Sequence, residues 1–124
     1  MDSILTSIKK LLGPTAEYTH FDPDIIMHIN SAFMDLNQLG VGPSDGFVVE
    51  DDTSIWTDFV QEELWGKVEA IKTYTYLKVK LVFDPPLNSA GIDAIERQID
   101  RMEWRINHAV ESAESIREEE NQNG

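Results

Sequence analysis

The last third of the chain carries its most regular apolar pattern. Ile92, Ile95, Ile99, Met102, Ile106, Ala109, Ala113 and Ile116 step 3, 4, 3, 4, 3, 4, 3, the spacing of an a/d seam along one face of a long helix. Asn88 or Ser89 stands where an N-cap is wanted. From residue 89 to 117 such a helix would run roughly 44 Å at about 1.5 Å per residue. A compact domain of this length has a radius of gyration of only about 14 Å. The far end is therefore expected to project beyond its own core, with a seam that another subunit would cover.

Earlier segments are shorter but similarly patterned. Residues 2–12 read as an amphipathic helix capped by Asp2 or Ser3, with Ile4, Leu5, Ile8, Leu11 and Leu12 in one stripe and Gly13-Pro14 as its stop. A second helix opens at Asp22 as N-cap, with Pro23 in the first turn and Asp24 favouring the dipole. Ile25, Ile26, Ile29, Phe33, Leu36 and Leu39 line it before Gly40. Residues 41–54 hold glycines and a proline, and Phe47, Val48 and Val49 allow a brief strand, so a loop or short hairpin is expected there. An acidic helix follows over residues 57–65, with Gly66 as its stop.

Residues 67–83 are ambiguous by pattern. TYTYLKVKLVF alternates and is rich in β-branched and aromatic residues, as strands are. No breaker intervenes before Asp84-Pro85-Pro86, and a lone strand would lack partners, so a buried helix carrying Val68, Ile71, Tyr74, Thr75, Val79 and Val82 is expected. The fold class is thus mainly α: a small bundle of about four to five helices with a long C-terminal helix. One domain spans residues 1–118, and the polar residues 119–124 form a flexible tail.

Composition changes this picture in one respect. Among 124 residues there are 23 acids and 10 bases, a net charge of −13, and no cysteine. No disulfide framework or thiolate metal site is possible, which fits a reducing compartment. The N-terminus MDSILTSIKKLLGP lacks the layout of a signal peptide, and no apolar run is long enough for a membrane span. A soluble, cytoplasmic product is expected. The charge is also uneven: between Gly13 and Gly66 there are eleven acids and no lysine or arginine. Nucleic-acid affinity rests on cations that neutralise phosphate, so this surface should repel DNA.

Catalytic and metal chemistry find little support. His20, His28 and His108 have no ligand spacing, and His28 with Asp24 reads as a surface pair. The adjacent acids Asp51-Asp52 and Glu62-Glu63 point in different directions, which does not suit acid–base work. Trp56, Trp65 and Trp104 read first as core residues, and Trp104, which falls beside the seam, equally suits an interface anchor. Arg97, Arg101 and Arg105 form a ridge with four-residue spacing. They either pair along their own helix, with Asp93 for example, or dock against the acidic stretch of a neighbouring copy.

The order of these phrases is similar to that of tailed-phage and prophage head–tail connector (adaptor, head-completion) proteins. It rests on ILTSIKKLLG, YTHFDPDIIMHINSAFMDLNQLGVGP, WTDFV, AIKTYTYLKVKLVFDPP and MEWRIN, most specifically on THFDPDI, LGVGP and LVFDPP. The resemblance implies a structural protein without cofactor or catalysis. It would act in the host cytoplasm during assembly and then in the virion neck, forming a ring under the portal that extends the DNA channel and joins head to tail. Its partners would be the portal, other neck or tail-completion proteins and sister copies, with no specific nucleic-acid binding and no membrane. Candidate subunit-interface residues are Arg97, Arg101, Trp104, Arg105, Ile106 and Ile116. The loop residues Val41, Gly42, Pro43, Phe47 and Val48, and the tail beyond Ile116, are candidates for portal or neck contacts. Two alternatives are an acidic DNA mimic that inhibits a DNA-binding protein, and a generic helical module that dimerises through the terminal seam.

Overall fold

The computed structural model describes residues 2–13 and 18–123, and within them the chain is helical. Its elements are α1 (Ile4–Leu12), α2 (Asp22–Gln38), α3 (Trp56–Phe59), a 3-10 helix (Glu62–Lys67), α4 (Val68–Phe83) and α5 (Ser89–Asn123). The segment with strand-like composition is α4, and it forms the axis of the bundle. It packs on α1, α2, α3, the 3-10 helix and α5, and Ile71, Tyr74, Thr75, Leu77 and Val79 are buried. Burial on several sides explains why β-branched and aromatic residues dominate it, since tertiary packing overrides their modest helix propensity. Val82, expected on that face, is exposed.

Ser3 caps α1 by accepting from the Thr6 amide at 3.0 Å, and Ile4, Leu5 and Ile8 enter the core. Gly13 ends it with a positive φ of 121°, and Pro14, the other half of the expected stop, lies outside the described residues. Asp22 is the first residue of α2 and not its N-cap, which is Phe21. Its carboxylate instead pairs with the buried Lys9 ammonium at 2.7 Å, tying α1 to α2. Lys78 and Asp35, 2.8 Å apart, tie α4 to α2.

Of the two possibilities for residues 41–54 the structure takes the loop, and no strand occurs among the described residues. Side-chain amides do the work of a second strand. Asn30 donates to the Val49 carbonyl at 2.9 Å and accepts from its N–H at 2.8 Å. Asn37 donates to the carbonyls of Val41 and Pro43, and Gln61 bridges the Gly40 carbonyl and the Gly42 N–H. Beneath the loop, Phe33 and Phe59 stack at 3.9 Å, with Phe47 tilted against both.

The acidic helix expected over residues 57–65 is broken in two. Val60 is extended, with ψ 127°, and the chain resumes as the 3-10 helix, in which Gly66 is an interior residue and not a stop. The break lets Phe59, Val60 and Leu64 all reach the core. The seam of α5 also differs from expectation. Ile99, Ile106 and Val110 are buried, with Ile95, Met102, Ala109 and Ala113 packed beside them against α4 and the 3-10 helix. The chain covers its own seam as far as Ala113. Beyond that point Ile116 is exposed, and α5 continues as helix to Asn123.

Candidate functional site

Most basic residues of the chain are occupied. Lys9, Lys10, Lys72, Lys78, Lys80 and Arg117 each lie within 4.0 Å of a carboxylate. Among the described residues the other four bases, Lys67, Arg97, Arg101 and Arg105, make no such pair, although acids outnumber bases 23 to 10. They are contiguous. Arg97, Arg101 and Arg105 stand exposed on successive turns of α5, and Lys67 shares the lining of one groove with Arg105. The pairing of Arg97 with Asp93 is therefore not formed, and a row of unpaired cations faces outward.

That groove lies between the 3-10 helix and the distal half of α5, with a volume of about 440 Å³. Leu64, Ala109, Ala113 and Ile116 form its floor and wall, and Arg105, His108 and Trp104 stand along it. Glu63, which also lines it, pairs with Arg117 at 3.6 Å. Trp104 is 70% exposed and stacks on His108, with ring planes 2° apart and centroids 5.5 Å apart. The other two indoles are used within the fold. Trp56 is buried and donates to Ser7 Oγ at 2.8 Å; Trp65, expected in the core, is exposed, and its N–H donates to the Val60 carbonyl at 2.9 Å. Trp104 makes no hydrogen bond among the described residues, and an exposed, unpartnered indole is a common feature of protein-binding surfaces.

A second surface lies on α2 and the loop, within the base-free stretch. Phe33, Met34, Asn37, Asp45, Phe47 and Val48 help to line a groove of about 380 Å³. Met34 and Val48 project from it, 69% and 66% exposed. Along the extended segment Val48 and Glu50 point outward while Phe47 and Val49 turn toward the core, the alternation expected of extended chain. Among the described residues Asp45 and Glu50 have no basic partner within 4.0 Å, and Asp35, farther along α2, is taken by Lys78.

The sequence-derived site residues divide accordingly. Arg97, Arg101, Trp104, Arg105 and Ile116 are exposed and grouped on α5. Ile106 is not a surface residue: it is buried against α4, the consequence of the seam packing internally. In the loop, Pro43 and Val48 are exposed and Gly42 and Phe47 half-buried. Val41 is fully buried and cannot meet a partner, since the amides of Asn37 and Gln61 draw that turn inward. Lys67 and Met34 were not singled out by sequence, and His108 was weighed there only as a metal ligand; only the missing acid partner of Lys67 could have flagged it, and that is a property of three dimensions. Asp24 and His28 form no ion pair within 4.0 Å, and no group of three His, Asp or Glu side chains among the described residues could hold a metal ion. No helix of the described residues is long and apolar enough to cross a membrane.

Comparison with known proteins gives one match. A family model described as phage connector protein fits residues 4–113, which takes in α1 to α4 and α5 as far as the last covered seam residue. No curated protein and no solved structure matches the chain.

Proposed function

The chain belongs to the phage connector protein family, and on that footing we propose that it forms a ring under the portal, extends the DNA channel and joins head to tail. Family membership over residues 4–113 carries this reading. It points to a structural protein of the virion neck that works by contact with other head and tail proteins, after assembly in the host cytoplasm.

The surfaces support a ring in particular. A closed ring needs two different faces on each copy, repeated head to tail. The unpaired cations of α5 and the acidic surface of the loop beside α2, where Asp45 and Glu50 have no basic partner among the described residues, are two such faces on one molecule. The acid excess also suits a conduit, because a duplex slides past like charge and does not stick. The alternative of a dimer zipped through the terminal seam loses its basis, since Ile99, Ile106 and Val110 are already buried within the chain. For the same reason a chain cut after Arg105 would lose the buried Ile106 and Val110 from its own core.

Purified protein should co-sediment with the portal from the same genome and give a defined multi-copy mass by light scattering. Replacing Arg97, Arg101 and Arg105 together by glutamate should reduce that mass while leaving the helical circular dichroism intact. An unchanged mass would remove the arginine ridge from the ring contact, and a portal that ignores the native protein would remove the connector reading itself.

A further inference from the structure

The geometry points to Trp104 as the anchor of the contact between copies, seated in the α2–loop groove of the next subunit. This rests on the ring reading and specifies the faces that meet. Three observations converge. Trp104 is the one indole whose N–H has no partner among the described residues, and it stands 70% exposed between the unpaired Arg101 and Arg105. The α2–loop groove offers an apolar lining of Phe33, Met34, Phe47 and Val48 within about 380 Å³, inside the range of about 300–1,000 Å³ of pockets that hold a small ligand. Its edge is acidic, with Asp45 in the lining and Glu50 two residues beyond Val48.

Shape and charge therefore match in the same register. The indole enters an apolar socket, and the arginines on either side meet carboxylates that have no base in their own chain. The socket also holds a polar group suited to the indole. Asn37 spends its amide N–H groups on the carbonyls of Val41 and Pro43, which leaves its Oδ1 as a free acceptor among the described residues. Anchor and socket share no residue, so each copy can offer both at once and the contact can repeat head to tail around a ring. The socket is also rigid, because Asn30, Asn37 and Gln61 fix the loop before any partner arrives, which lowers the ordering cost of association.

The chain has no cysteine, so two single-cysteine chains provide the test. One carries Ser44→Cys beside the socket and the other His108→Cys beside the anchor. Mixed in equal amounts on purified portal and treated with a short bismaleimide, they should cross-link one to the other, whereas neither alone should form pairs. Adding Trp104→Ala to the second chain should lower the yield by roughly tenfold or more, the scale of an anchor residue. Because Trp104 is exposed, this variant keeps its fold, which circular dichroism checks. Pairs formed within a single-cysteine preparation would indicate a two-fold contact and overturn the proposal. So would a yield indifferent to Trp104→Ala. No cross-link between chains that both co-sediment with portal as a ring would overturn this contact and leave the ring; failure to bind portal would overturn both.

Discussion

Replacing Gly40 with alanine should destabilise the protein by about 2–4 kcal/mol, through a clash between the start of the loop and the terminal helix. Gly40 has φ +98°, and an L-residue held in left-handed backbone costs about 1–2 kcal/mol. A Cβ there would lie 2.6 Å from Val110 Cγ1. Val110 cannot easily turn away, because a β-branched side chain on a helix has one strongly preferred χ1, and overpacking of a buried site costs about 1–3 kcal/mol. The narrower unfolded ensemble of alanine returns about 0.4–1 kcal/mol. For a domain of this size the net loss corresponds to a fall in Tm of about 8–16 °C. Gly46 provides the control. It has nearly the same φ, +93°, but nothing within 4 Å of its virtual Cβ, so Gly46→Ala should cost only about 1 kcal/mol. Urea titrations followed by circular dichroism at neutral pH compare the two. Combining Gly40→Ala with Val110→Ala should give less than the sum of the single losses, by about 1 kcal/mol or more, as residues in contact do. If Gly40→Ala costs no more than Gly46→Ala, or the double variant is additive, the loop is not wedged against α5 and the packing argument fails.

Two further outcomes test the interior. Tyr74 donates to Glu103 Oε1 at 2.9 Å, joining α4 to α5, and its hydroxyl pKa is raised far above the ordinary 10.0, first by burial and then by that hydrogen bond. The folded state thus holds the phenol proton more tightly than the unfolded chain, so this contribution to stability is complete below about pH 10 and is lost as pH rises beyond it. Tyr74→Phe should cost about 1–2 kcal/mol at neutral pH and flatten the fall of the urea midpoint above pH 10; equal slopes for the two proteins would refute the assignment. Asn30→Ala should cost about 2 kcal/mol, since it removes two hydrogen bonds to Val49, and hydrogen exchange should show the Val49 amide losing protection. Protection unchanged would mean that the loop is held by its apolar contacts alone.

Much of the bundle could be read from the chain because single residues decided it. Pro23 after Asp22, Gly40 after Leu39 and the absence of a breaker before Asp84-Pro85-Pro86 placed α2 and α4 within a residue or two. Strand propensity in TYTYLKVKLVF misled only as far as it ignored burial, because β-branched residues in a helix enclosed on several sides are stabilised by packing. Failures came where the outcome depended on a distant partner. Periodicity shows which face of a helix is apolar and says nothing of what covers it, so the α5 seam suggested a neighbouring subunit when its cover was α4 and the 3-10 helix. Val110, four residues after Ile106 on the same side, was passed over for the smaller Ala109. Asn30, Asn37 and Gln61 look like ordinary solvent-facing polar residues in sequence. Nothing local marks them as the groups that replace a second strand.

The candidate surface was legible in part for a similar reason. An arginine ridge can be seen in sequence, but whether its members are spent on intrahelical pairs cannot, because Asp93 and Arg97 have pairing geometry by spacing and still stay apart. The structure decides the point by contrast. In a chain with more than two acids for each base, six bases find carboxylates and the four that do not are neighbours, beside the only indole without a hydrogen bond among the described residues. A solvated face that served solubility alone would have no reason to set an exposed indole and an apolar groove beside the unpaired cations, since exposed apolar surface is a liability for a free molecule in water. Grouped together they become complementary to a surface that is apolar at its centre and acidic at its rim, and the α2–loop face of the same chain has that composition. On the proposed ring, the acid excess would have two roles on one molecule: repelling a duplex from the exposed remainder, and supplying the carboxylates that orient one copy against the next.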